Sequence, residues 1–245
     1  MLPSSFAPSA AVSLADCLAL ASPWGRWRLR TRSRCRKALW RYYSSAPAGA
    51  KRAMDVAVSA AVLVFLGPLF LLLAALIKLE DGGPVFFKQT RVGRFGRKFR
   101  MFKFRSMCLD AEQRLRELAA RNQHSTGVTF KIKDDPRITR IGRFIRKYSL
   151  DELPQFYNVL RGEMSLVGPR PPVPGEVAKY SLADRRRLAV KPGITCIWQI
   201  SGRAEIDFPG QVKLDVNYIE RQSLAEDVRI LFKTVPAVLS GNGAY

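Results

Sequence analysis

Two adjacent carboxylates, Asp151 and Glu152, stand in the segment YSLDELPQFYNVLRGEMSLVGPRPP, which runs from Tyr148 to Pro172. The chain carries 41 Lys and Arg against 20 Asp and Glu, so paired acids are unusual here. One explanation is structural, because Ser149 to Glu152 matches the S-x-x-E capping box, whose glutamate accepts from the cap amide. The other is chemical: a carboxylate is the nucleophile of aspartyl-phosphate enzymes, and a second one can hold Mg²⁺ with substrate phosphates.

Pro154 limits where a helix can begin in this segment. If Ser149 is the cap, Pro154 falls beyond the first turn, where its missing N–H would normally be hydrogen-bonded. If Asp151 is the cap, Pro154 lies in the first turn, where proline is tolerated. In either register both acids lie at a helix N-terminus, which favours their ionised forms. The segment therefore predicts a helix over 151–160 that begins with an ionised acidic pair.

Arg170 is enclosed by prolines in GPRPP, residues 168–172. A residue before proline is biased towards extended structure, and a held guanidinium binds a phosphate through two parallel hydrogen bonds. A surface polyproline turn is the alternative for this pentapeptide taken alone. The stretches KPGIT (191–195) and WQISGR (198–203) add another cation, an aromatic ring and a Gly-Arg turn.

The composition narrows the function classes. With 47% apolar residues the chain is not a disordered polycation, and its net charge of +21 indicates an acidic partner: nucleic acid, anionic lipid or a phosphorylated substrate. The four cysteines are far apart, and the single histidine, His124, stands in a polar segment. These features argue against a zinc site, a disulfide framework and a Ser-His-Asp triad.

An uncharged segment from Val56 to Ile77 is long enough to cross the hydrocarbon of a membrane as a helix. Gly67-Pro68 in its centre predicts a kink, since proline cannot donate the helical hydrogen bond. Basic residues flank both ends, and the positive-inside rule places both ends in the cytoplasm. A helix that enters and leaves by the same face satisfies both observations. A straight span remains the alternative, because membrane helices tolerate proline.

The remaining periodicities predict a small α+β domain. Apolar alternation on both sides of Val92–Gly96 predicts a β-hairpin. Its alternating Phe and Arg or Lys residues would suit either stacking on nucleic acid or a half-buried strand at an anionic membrane surface. Helical spacing predicts helices over 137–148, 183–190, 208–221 and 224–239. The last is amphipathic and is expected at a membrane interface.

These motifs together resemble one family, the bacterial polyprenyl-phosphate sugar phosphotransferases. They are monotopic phosphoglycosyl transferases that initiate exopolysaccharide and O-antigen synthesis. The resemblance covers about residues 50–245 and rests on four motifs in the family's order: KFRSM (103–107), DDPRITRIGRFIRKYSLDELPQFYNVLRGEMSLVGPRPP (134–172), KPGIT with WQISGR, and VKLDVNYIE (212–220).

The resemblance implies a domain organisation. A re-entrant helix-break-helix over 51–80 would precede a mainly helical cytoplasmic catalytic domain over 81–245. That domain would contain a small β-hairpin and end in the interfacial amphipathic helix. Residues 1–50 fall outside the family pattern, and their basic, Pro- and Ser-rich composition predicts a disordered leader that lies on anionic lipid. A transit peptide is the alternative for this leader.

The resemblance also implies a reaction at the bacterial inner membrane. Asp151 would attack the sugar-bearing phosphate of a UDP-hexose (with galactose or glucose), release UMP, and pass the phosphosugar to undecaprenyl phosphate. Glu152 would bind Mg²⁺. Four cations would contact phosphates or the nucleotide: Lys103, Arg146, Arg170 and Arg203.

Two other function classes compete with this transferase. One is a membrane-tethered module that binds nucleic acid or anionic lipid, and the other is a scaffold of a polysaccharide export complex. Neither would release UMP from a UDP-sugar. The uncharged segment followed by an acidic pair favours the transferase, with no nucleic-acid partner. The sequence leaves open the sugar, the polysaccharide and the oligomeric state, a dimer included.

Overall fold

The computed structural model describes residues 48–111, 113–114, 135–202 and 206–240. The predictions for most of the leader, for His124 and for Arg203 fall on residues outside these ranges. Over the described residues the fold is mostly helical with two small two-stranded sheets, in agreement with the predicted α+β class.

The uncharged segment forms two helices rather than one. Helix α1 spans Ala48–Phe65 and α2 spans Gly67–Asp81, and their axes differ by 61°. Pro68 lies in the first turn of α2, where its missing N–H breaks no helical hydrogen bond. The predicted break is therefore present. Among the described residues no single helix has the length and apolar composition to cross a membrane, but this bent pair has both.

The predicted hairpin is also present. Strand β1 (Phe86–Val92) pairs antiparallel with β2 (Lys98–Phe104), and a short 3-10 turn over Arg94–Gly96 joins them. The turn closes through positive φ angles at Phe95 (56°) and Gly96 (79°). This hairpin carries Lys103 near the end of its second strand.

The structure contains a second sheet that the sequence patterns do not predict. Strands β3 (Ser165–Val167) and β4 (Gly193–Thr195) form a two-stranded parallel sheet. Gly168 and Gly193 allow it, because a Cβ on either residue would collide with the backbone opposite. The strands are too short to show an alternating pattern, so the sequence carries no periodic signal for them.

The helices mostly follow the predicted periodicities. The α-helices after the hairpin are α3 (Arg140–Lys147), α4 (Gln155–Leu160), α5 (Pro174–Ala178), α6 (Ile197–Ser201), α7 (Phe208–Arg221) and α8 (Leu224–Ser240). The predictions for 208–221 and 224–239 match α7 and α8, whereas 183–190 forms a 3-10 helix over Asp184–Ala189. Helix α3 starts later than predicted, because the Thr139 hydroxyl accepts from the Gly142 amide and caps it.

Two apolar clusters hold these elements together. The larger one includes Met101 of β2, Val159 of α4, β3 residues, Tyr218 of α7 and Ile230 of α8. The smaller one joins Leu73 and Ile77 of α2 to Phe104 of β2 and Ile145 of α3. Helix α2 therefore packs against the strand that carries Lys103 and the helix that carries Arg146.

The first turns of α1 are fastened to the domain by polar side chains. Lys51 Nζ lies 2.6 Å from the Oδ2 atom of Asp227, which is fully buried in α8. The guanidinium of Arg52 donates to two carbonyl groups at the end of α4. The buried carboxylate of Asp55 accepts from a hydroxyl and an amide of β3. These directional bonds fix the start of α1 relative to α4 and β3.

Candidate active site

The acidic pair lies on a tight turn rather than on a regular helix. A 3-10 turn spans Leu150–Glu152, and α4 begins only at Gln155, after Pro154 as its N-cap. The predicted helix over 151–160 is therefore interrupted. The chain enters the turn through Ser149 at φ 53°, a conformation that a residue with a Cβ rarely adopts. Such strained residues concentrate at functional sites.

The capping-box explanation is wrong for this turn. The Ser149 side chain caps no amide, and the Glu152 carboxylate accepts from two cations instead of from the Ser149 amide. Lys103 Nζ lies 2.7 Å from Glu152 Oε1, and Arg170 Nη1 lies 3.2 Å from the same atom. Lys103 Nζ is also 3.9 Å from Asp151 Oδ2. Four of the residues proposed from the sequence thus meet in one cluster.

The two acids differ in their electrostatics. Burial raises the pKa of Asp151 above its usual range, although Lys103 opposes the shift. Burial acts on Glu152 in the same way, but the charges of Lys103 and Arg170 outweigh it and lower the pKa of Glu152 to about 2. The expectation that both ionised forms are favoured therefore holds for Glu152 and is wrong for Asp151. The reason is that two cations hydrogen-bond Glu152, whereas Asp151 Oδ2 lies 3.9 Å from Lys103 Nζ, so desolvation dominates at Asp151.

Arg146 occupies the last turn of α3 and is half-buried. Its charge lowers the pKa of Asp151, which indicates that the guanidinium lies near that carboxylate. Its guanidinium has no side-chain hydrogen bond or ion pair with any residue that the structure describes. A cation without a fixed partner beside a carboxylate is available to bind an anionic ligand.

Arg170 is held by hydrogen bonds on both sides of its loop. The Gly168 amide donates to Thr195 of β4, and the Gly193 amide of β4 donates to the Pro169 carbonyl, at 3.0 and 2.9 Å. On the other side the Val92 amide at the end of β1 donates to the Pro172 carbonyl. The rigid arginine expected from GPRPP therefore has a physical basis in the two sheets.

Sequence reasoning missed Arg91. It lies at the end of β1, where Nη1 donates to the Pro171 carbonyl at 3.0 Å, and its buried Nε has no partner among the described residues. Burial, and then the charge of Arg170, lower the pKa of Arg91 to about 10. Together with Glu152, Gln155 and Arg170 it lines a small cleft. Its signal in the sequence was a basic residue in an alternating strand, a pattern that fits either stacking on nucleic acid or a half-buried strand at an anionic membrane surface.

The acids fit Mg²⁺ rather than a metal that needs a full protein cage. In the described ranges no three Cys, His, Asp or Glu side chains converge on one point. Both cations bind Oε1 of Glu152, which leaves Oε2 without a described partner. Mg²⁺ needs only one or two carboxylates when substrate phosphates supply the remaining ligands.

Comparisons with known proteins identify the family of this chain. The model of the family described as bacterial sugar transferase matches residues 46–241. The galactosyl transferase CpsE of Streptococcus agalactiae is 52% identical over 83% of this chain and 45% of its own length. The exopolysaccharide production protein ExoY of Sinorhizobium fredii is 43% identical over 80% of this chain and 88% of its own.

A third relative is the undecaprenyl-phosphate galactose phosphotransferase of Salmonella typhimurium, which is 45% identical over 80% of this chain. The match covers 41% of that protein, so this chain spans less than half of some relatives and most of ExoY. The motifs that brought the acidic pair and its cations together lie inside the matched region. The chain belongs to the bacterial sugar transferase family.

Proposed function

We propose that this protein transfers a hexose 1-phosphate from a UDP-hexose to undecaprenyl phosphate, in the first membrane step of exopolysaccharide synthesis. The observation that carries the proposal is the pair of buried Asp151 and half-buried Glu152 with cations around it. Lys103 and Arg170 contact Glu152, and the charge of Arg146 acts on Asp151. The names of the relatives support the same lipid acceptor and the same pathway.

The first step is a displacement at the sugar-bearing phosphorus of the UDP-sugar. A carboxylate oxygen of Asp151 forms a bond to that phosphorus, and the bond from phosphorus to the bridging oxygen breaks. The electron pair of the broken bond leaves with UMP, and the phosphosugar remains on Asp151. Asp151 suits this role because no described residue hydrogen-bonds its carboxylate, so its lone pairs stay available. Its raised pKa makes it a stronger base than an exposed aspartate.

The second step regenerates the carboxylate. An oxygen of the lipid phosphate attacks the same phosphorus, and the bond from phosphorus to the Asp151 oxygen breaks. The product is an undecaprenyl diphosphate sugar. In each step an anion approaches an anion, and cations nearby lower this Coulombic barrier most effectively in a partly desolvated site. Arg146, Arg170 and Lys103 would supply that charge, and we place Arg203, which lies outside the described residues, in the same group.

Glu152 would hold Mg²⁺ through Oε2, the carboxylate oxygen that neither Lys103 nor Arg170 occupies. The bound ion would neutralise charge on the diphosphate oxygens of the substrate. The lowered pKa of Glu152, about 2, keeps this carboxylate ionised throughout the range in which bacteria grow.

We further propose that α1 and α2 enter and leave the inner membrane by its cytoplasmic face. The bend of 61° and basic residues beside both ends support a re-entrant pair. Helix α8 would lie at the interface, because it exposes apolar side chains at helical spacing: Val228, Phe232, Val235 and Leu239. This arrangement would put the acidic pair beside the membrane that contains the lipid substrate.

The test is release of UMP by purified protein in lipid nanodiscs, with UDP-galactose first and UDP-glucose second. Without the lipid acceptor, the parent should release about one equivalent of UMP and keep label from the sugar on Asp151, as a covalent intermediate requires. Asp151→Asn should abolish both signals, because it removes the charge and most of the nucleophilicity.

Two further variants separate the roles of the acids. Glu152→Gln should slow both half-reactions and raise the Mg²⁺ concentration that they need. Glu220→Gln removes an exposed surface carboxylate and should behave as the parent. Normal turnover by Asp151→Asn, or a phosphosugar found on another residue, would refute the assignment.

A further inference from the structure

Asn158 of α4 is a buried amide that the proposed reaction does not use. It is fully buried, and its side chain makes three hydrogen bonds. Nδ2 donates to the Arg100 carbonyl at 2.8 Å and to Glu163 Oε2 at 2.7 Å, and Oδ1 accepts from the Phe102 amide at 3.0 Å. A buried amide costs free energy unless its polar groups are hydrogen-bonded, and here both polar atoms of the side chain are bonded. Hydrogen bonds are directional, so these bonds restrict where α4 lies.

Two of these bonds reach the free edge of β2. In the described part of the chain, β2 pairs only with β1, on its other edge. By contacting the carbonyl of Arg100 and the amide of Phe102, the Asn158 side chain bonds to β2 as one residue of a parallel strand opposite Met101 would. It therefore fixes the register of α4 along β2.

The register of α4 along β2 matters because these two elements position the two partners of the Lys103–Glu152 ion pair. Lys103 follows Phe102 directly on β2, and Glu152 lies on the turn that leads into α4. A slip of one residue along a strand moves each side chain to the opposite face. Phe102 also packs edge-to-face on Tyr157, with ring centroids 5.6 Å apart, and Met101 lies in the same apolar cluster as Val159. Apolar contacts are not directional, so these contacts set spacing rather than register.

We propose that Asn158 is a positioning residue, which holds Lys103 at 2.7 Å from Glu152 and within 3.9 Å of Asp151 by locking α4 to the edge of β2. This inference rests on the proposed function for its kinetic consequence but not for its structural one. Without the amide bonds, β2 can slide along α4, and Lys103 leaves the acidic pair.

The kinetic test is a double-mutant cycle on UMP release. Asn158→Ala should reproduce the effect of Lys103→Met on kcat and KM, with a fall in kcat/KM between about tenfold and a hundredfold, as expected when a reacting group is misplaced by about 1 Å. The double variant Asn158→Ala with Lys103→Met should be no slower than Lys103→Met alone, because both changes remove the same contact.

Val159→Ala is the matched control. It removes part of a fully buried side chain at the next position of α4, so it lowers stability but leaves the Asn158 hydrogen bonds to β2 in place. It should leave kcat and KM close to the parent values, and its effect should add to that of Lys103→Met. If Asn158→Ala does not fold, Asn158→Leu replaces it, since leucine nearly keeps the volume but lacks both the donor to Arg100 and the acceptor for the Phe102 amide.

A second measurement does not depend on activity. Lys103, 14% exposed and paired, should react slowly with an amine-acetylating reagent, as followed at that residue by peptide mass spectrometry. Acetylation should become several-fold faster in Asn158→Ala and stay unchanged in Val159→Ala. Equal rates in Asn158→Ala and the parent, or additive kinetics in the double variant, would overturn the inference. If the parent releases no UMP from any UDP-sugar, the proposed function fails, and the acetylation rates still decide the role of Asn158.

Discussion

Replacing Arg170 offers a direct test of how the site handles phosphate. Its Nη1 lies 3.2 Å from Glu152 Oε1, and the Glu152 charge raises the pKa of Arg170, so the guanidinium stays charged. Because 36% of this side chain is exposed, solvent screens part of any interaction that it makes. A hydrogen bond to a charged group contributes about 1.5–3 kcal/mol, and we take the lower part of that range, about 1.5–2 kcal/mol.

That free energy corresponds to a fall of about 10- to 30-fold in kcat/KM for Arg170→Ala. Arg170→Lys should recover only part of the loss, because an ammonium cannot form two parallel hydrogen bonds with a phosphate. The assay is UMP release at UDP-sugar concentrations well below KM.

The matched control is Arg186→Ala, which removes the same charge from an exposed surface pair with Glu220. It should change kcat/KM by less than about twofold, since exposed ion pairs contribute little. Equal activity of Arg170→Ala and Arg186→Ala would remove Arg170 from the phosphate site. Full activity of Arg170→Lys would refute the argument from forked binding.

Three further predictions concern topology, packing and pH. Pro68→Ala should straighten the bend between α1 and α2 and lower activity. Cysteine labelling should then find one end of the segment on the periplasmic side, whereas in the parent it should find both Ala53 and Leu79 on the cytoplasmic side. Gly193→Ala should lower Tm by roughly 2–12 °C, because a Cβ there meets the opposite backbone, whereas Gly175→Ala, with open space around it, should not. Because burial raises the pKa of Asp151, its nucleophilic carboxylate is protonated at a higher pH than an exposed aspartate would be. As the pH is lowered, kcat/KM should therefore begin to fall while the pH is still above about 4, the usual pKa of aspartate. A pH profile in which kcat/KM falls only below that value would contradict the effect of burial.

Much of the site could be predicted from sequence because its chemistry is concentrated in short motifs. Asp151 and Glu152 are adjacent, and prolines enclose Arg170, so their proximity and stiffness are local properties. The hairpin that carries Lys103 and the break before Pro68 are also local, since alternation and a missing amide act on neighbouring residues. Arg91 was not predicted as a site residue, because the alternating pattern of its strand fits an exposed surface as well as a cleft.

The sequence by itself determined the charge balance, the acidic pair, the kinked apolar segment and the family. Each of these is a property of residue type and spacing along the chain. Tertiary structure alone decided which cations face the acids, since Lys103 and Glu152 are 49 positions apart and no periodicity links them. It also decided that burial raises the pKa of Asp151 while two cations lower that of Glu152. A pKa depends on desolvation and on charges nearby in space, and both exist only after distant segments have packed together.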